Sequence, residues 1–131
     1  MLDIEVIGID ALGAEGPPAA AVQEACALAL SSAGVVEGHV AVELVGEARI
    51  RELNREHRGI DEPTDVLSFA IDELGASAGP RELGDIVICP AFTEDIREAV
   101  VHGALHLTGM DHERDDGEML TLQAELLRWV S

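Results

Sequence analysis

The sequence predicts an α/β (α+β) fold, a mixed four-stranded sheet packed with helices, on three observations. A strand, a helix and a strand follow one another at the start of the chain, the pattern of a βαβ unit with a parallel pair and a right-handed crossover. Two further apolar strand candidates, 64–71 and 85–89, are joined by a Gly-, Ala-, Ser- and Pro-containing stretch too weakly patterned for a crossover helix, so they pair antiparallel and make the sheet mixed. Two helical patterns close the chain.

Leu2, Ile4 and Val6 alternate with polar residues and read as a half-buried strand. Residues 13–16 are loop, and Pro17 and Pro18 suit the first turn of a helix, where a missing N–H costs nothing. That helix buries Val22, Cys26 and Ala29 and stops at Gly34. Val40, Val42 and Leu44 share one face of the second strand. From Glu47 to His57 the pattern is helical, with Ile50 and Leu53 inward, and Pro63 breaks it. After the antiparallel pair, Thr93 is placed to cap a helix carrying Ile96, Val100, Val101 and Leu105 and ending at Gly109. A last helix begins near Asp115, which has capping-box spacing to Glu118, and buries Met119, Leu122, Leu126 and Trp129.

At 131 residues the chain makes one domain, 1–131, large enough for a single core. Hydrophobic residues are 47% of it but aromatics only 2%, namely Phe69, Phe92 and Trp129, so the core is built from Val, Ile, Leu and Ala. No apolar run approaches the ~20 residues of a membrane span, and the acidic start lacks the basic segment of a secretory signal. The chain reads as cytoplasmic, with no membrane partner. Cys26 and Cys89 lie far apart on apolar elements and read as buried thiols rather than a disulfide. The formal net charge of −18, with eight basic side chains and all of them arginine, repels a polyanion on average. A nucleic-acid function therefore requires a local positive site.

His102, His106 and His112 occupy an HxxxHxxGxxH segment. On a helix His102 and His106 fall on one face, one turn apart, within reach of one ion. Gly109 turns the chain back and brings His112 toward them. Three neutral imidazoles leave one position of a tetrahedral zinc open, the pattern of a catalytic site. The spacing matches the metzincin zinc proteases, yet Gly103 stands where those enzymes carry the glutamate base. Peptide hydrolysis loses its proton acceptor. Arg49, Arg51, Arg55 and Arg58 concentrate half of the positive charge within ten residues. Pairing with Glu47, Glu52 and Glu56 on a solvated helix face accounts for the first three, while Arg58 adjoins the 64–71 strand and can point toward the metal.

Leu53, Asn54 through Arg58, then Pro63 to Phe69 (PTDVLSF), then Leu83 to Val87 (LGDIV), then His102 to His112 together resemble the YbeY family over roughly residues 40–130. The resemblance implies a zincin-like fold and one Zn2+ per chain held by His102, His106 and His112. It implies single-strand endoribonuclease activity, with Arg58 as the other residue tied to activity, in maturing the 3′ end of small-subunit (16S) ribosomal RNA and in ribosome quality control. Small-subunit ribosomal proteins are the implied partners. Asp85 and Asp111 match family positions and are expected to support the imidazoles, which usually donate their second N–H to a carboxylate or carbonyl. Two departures accompany the likeness. The segment between the 85–89 strand and His102 is short for the family, and Met110 stands where an aromatic residue is common. The rival readings are a zinc peptidase or amidase, disfavoured by Gly103, and a non-enzymatic ribosome assembly factor with a structural metal, to which the acidic surface is suited.

Overall fold

The computed structural model describes residues 2–12, 16–70, 82–110 and 116–129. Strands β1 (Leu2–Ile7), β2 (Gly38–Leu44), β3 (Val66–Ala70) and β4 (Glu82–Ile88) form one sheet in the order β1-β2-β4-β3. β1 and β4 flank β2 in parallel, and β3 pairs antiparallel with β4 at the sheet's edge. The expected βαβ opening and the mixed sheet are both present.

Helix α1 (Ala19–Ser32) supplies the crossover and buries Val22, Ala25, Cys26, Ala29 and Leu30. It ends with Gly34 at φ +83°, where the chain turns back so that the Leu30 carbonyl accepts from both the Ala33 and the Val35 N–H, at 3.1 and 3.0 Å. Helix α3 (Ile96–Leu107) lies beside it on the same face of the sheet, with α4 (Glu118–Leu127) against α3. Between these helices and the sheet lies the main core of Val40, Val42, Ile86, Ile88, Val100, Leu105 and their neighbours. Each large aliphatic side chain removed from water there contributes roughly 1.5–3 kcal/mol relative to exposure. Helix α2 (Glu47–Arg58) covers part of the opposite face through a smaller cluster of Ile50, Leu53, Leu67, Val87 and Cys89. Both cysteines are buried free thiols, and burial pushes the Cys26 thiol up to about 12.

Two helix boundaries differ from expectation, and a third falls where expected but is set by another residue. Helix α2 stops at Gly59, which takes φ +72° and donates its N–H to the Arg55 carbonyl, before Pro63 is reached. Thr93 does not cap α3. Its hydroxyl closes a 3-10 turn (Pro90–Phe92) on the Cys89 carbonyl at 2.8 Å, and Asp95 takes the cap by accepting from the Arg97 and Glu98 N–H groups at 3.0 and 3.3 Å. Trp129 is 76% exposed because α4 ends at Leu127, before the 119, 122, 126 stripe can extend to it. The proposed Asp115 cap lies outside the described residues, although the Glu118 carboxylate does reach back to the Asp116 N–H at 2.7 Å.

Two glycines set how closely α3 approaches the sheet. Gly84 has φ +141°, and a Cβ there would strike the Phe69 carbonyl and come within 2.9 Å of Leu107. At Gly103 a Cβ would stand 2.6 Å from Ile86 Cγ2. The histidine helix thus rests on β4 at a distance that only glycine permits.

Candidate metal centre and its cleft

Because α3 is nearly apolar on the sides that meet α1 and the sheet, its two histidines occupy the remaining face. His102 and His106 are half-buried and one turn apart, with ring centroids 4.8 Å apart and planes at 71°. Their Nε2 atoms converge to 3.2 Å. Two imidazole nitrogens bound at 2.0–2.1 Å to one tetrahedral zinc stand about 3.3 Å apart, so the pair is spaced for a shared ion.

The orientation of His102 is fixed from α4. Its Nδ1 lies 2.7 Å from Gln123 Oε1, an atom that can only accept, so Nδ1 carries the proton. The lone pair of the neutral ring then sits on Nε2, the atom facing His106. Gln123 is itself buried. This residue was missed in the sequence, yet a signal exists: it falls between Met119 and Leu126 on the inward face of α4, where a polar side chain needs a partner.

His112 and Asp111 lie outside the described residues. Among the described residues there is no group of three or more His, Cys, Asp or Glu side chains able to hold a metal. Asp85 does not support the imidazoles: Gly84 and Ile86 face α3, so strand alternation turns the exposed Asp85 to the other side of the sheet, opposite Phe69 in register.

The histidine pair opens into a cleft of about 1170 Å³ that runs along edge strand β3. Its two ends differ. At the start of β3 the Cys89 N–H donates to the Asp65 carbonyl, binding the turn that precedes α3 to that end. Here the lining residues are Phe92, Glu94, Asp95 and Glu98. At the far end lie His57, which packs on Phe69 with centroids 4.5 Å apart, and Arg58, exposed at the end of α2. Arg58 and the histidine pair therefore share one cleft. His57 carries no spacing signal in the sequence and is found there too.

Two other α2 arginines are engaged elsewhere. Arg49 pairs with Glu52 at 2.7 Å, as the helical spacing implied, whereas Arg51 binds Asp61 of the following loop at 2.9 and 3.2 Å. That hydrogen bond holds the Asp61 carboxyl below the usual carboxylate range. His39 bridges Glu82 at 2.9 Å and Glu5 at 3.5 Å on the uncovered sheet face, and the Glu82 hydrogen bond raises its pKa. Among the described residues no helix is long and apolar enough to cross a membrane.

The family described as Endoribonuclease YbeY matches residues 17–131 of the chain. A Brevibacillus brevis protein named Endoribonuclease YbeY is 38% identical over 131 positions, covering 80% of this chain and 82% of its own. One of the same name from Azorhizobium caulinodans is 41% identical, covering 88% and 82%. The solution structure of a Thermotoga maritima protein superposes with a TM-score of 0.55 at 30% identity, covering 97% of this chain and 88% of that one.

Proposed function

The chain belongs to the endoribonuclease YbeY family, hydrolases of RNA phosphodiester bonds, and on that premise we propose that it is a zinc-dependent single-strand endoribonuclease of small-subunit ribosomal RNA maturation. The observation that carries the reading is the 3.2 Å convergence of His102 and His106 Nε2 in a cleft that Arg58 also lines. His102, His106 and His112 would hold one zinc ion. Zinc in such a site supplies Lewis-acid polarisation of a phosphodiester oxygen and acidifies water toward neutral pH.

The chain's own residues do the rest. Gln123 keeps the His102 proton on Nδ1, and Arg58 offers two parallel hydrogen bonds to a phosphate and neutralises charge that grows on it in the transition state. Glutamate-assisted peptide hydrolysis is disfavoured by packing as well as by chemistry, since position 103 faces Ile86 without room for a side chain. The reading places the protein in the cytoplasm, with ribosomal RNA as substrate and small-subunit proteins as neighbours.

Cleavage of a labelled single-stranded RNA tests it. Arg58→Ala is expected to lower kcat about 10²-fold or more. Arg51→Ala, which removes only a solvent-exposed pair with Asp61, leaves the rate unchanged. Equal rates for wild type and Arg58→Ala, or no cleavage by either, would refute the assignment.

A further inference from the structure

The chain is poor in aromatic residues, with two phenylalanines and one tryptophan, and both phenylalanines line the cleft. Phe69 is half-buried and packs against the His57 ring. Phe92 is different: it is 46% exposed, so the fold leaves much of its apolar surface in water.

The turn that carries Phe92 is braced. Pro90 restricts its first residue, the Phe92 N–H donates to the Cys89 carbonyl at 3.1 Å, and the Thr93 hydroxyl donates to the same carbonyl at 2.8 Å. The Cys89 N–H in turn holds the start of β3 through the Asp65 carbonyl at 2.8 Å. A ring mounted on such a turn loses little further freedom when a ligand covers it.

The charge around it selects the part of an RNA strand that can approach. Glu94 and Glu98 line the same end of the cleft and make no side-chain hydrogen bond or ion pair among the described residues. They repel phosphate. Arg58, at the opposite end, attracts it. An uncharged nucleobase is the part of the strand suited to the Phe92 end, and every base has a π-face to offer an aromatic ring.

We propose that Phe92 is the base-stacking platform of the cleft, receiving an unpaired nucleobase that flanks the scissile phosphate while Arg58 holds the backbone at the other end. This rests on the endoribonuclease reading and gives it a structural reason to favour single strands, since a base held in a duplex must first break its own pairing and stacking to reach the ring.

The test uses the full chain loaded with zinc and a 2′-O-methylated, uncleavable oligonucleotide read by fluorescence anisotropy, beside an abasic strand of equal length. Phe92→Ala is expected to weaken binding of the base-bearing strand about tenfold, and Phe92→Trp to restore it. Both variants should bind the abasic strand as wild type does. Unchanged affinity in Phe92→Ala overturns the platform, as does an equal loss on both strands. Cleavage by wild type is measured alongside, so that a platform that fails while RNA is still cut leaves the nuclease reading standing. Absence of both binding and cleavage in wild type overturns both.

Discussion

Helices α3 and α2 pack on opposite faces of one sheet and both reach the same cleft, yet they are built in contrary ways. Helix α3 is sunk into the main core, sits on β4 at glycine-limited distance, and has one histidine tied to a buried glutamine of α4. Helix α2 rides on a small cluster and presents arginines to solvent, two of them in exposed ion pairs. The contrast separates two demands of the proposed chemistry. Metal ligands must be held to fractions of an ångström and are placed where packing is densest, whereas a cation meeting a flexible phosphate can sit on a peripheral helix end.

The contrast can be broken most severely at Gly103. Gly103→Ala forces a Cβ to 2.6 Å from Ile86 Cγ2, and overpacking of this kind costs about 1–3 kcal/mol. Thermal unfolding should show a midpoint several degrees lower, and an unchanged midpoint would mean that α3 is not packed as tightly as described. Gln123→Ala sharpens the contrast with a smaller effect. Removing the acceptor of the His102 Nδ1–H is expected to weaken metal affinity about 10–100-fold, read by competition with a chelator, with the fold retained. Equal affinity would show that Gln123 does not set the imidazole.

Most of the fold was legible because its signals are local. The alternation in β1 and β2, the 22, 26, 29 stripe of α1 and the apolar pattern of α3 each specify an element and its inward face. Boundaries were less legible where side chains compete. Thr93 and Asp95 are both plausible caps, and the choice was made by the Cys89 carbonyl, which claims the threonine hydroxyl. Trp129 continues an apolar spacing whose helix has already ended. In the site, the His102 and His106 pair could be read from i, i+4 spacing alone. Gln123 and His57 could not be placed there, since they join the cleft only through helix packing between distant segments. Asp85 misled because family position says nothing of strand face. The parity of Gly84 and Ile86 decided it.

Whether the converging imidazoles hold a metal is decided by elemental analysis of tag-free protein after zinc is supplied, with His106→Ala as the comparison. About one zinc per chain is expected in wild type and none in the variant, with RNA cleavage lost in parallel. Wild type that takes up no zinc, or His106→Ala that retains it in full, would contradict the assignment of the converging imidazoles as the metal centre.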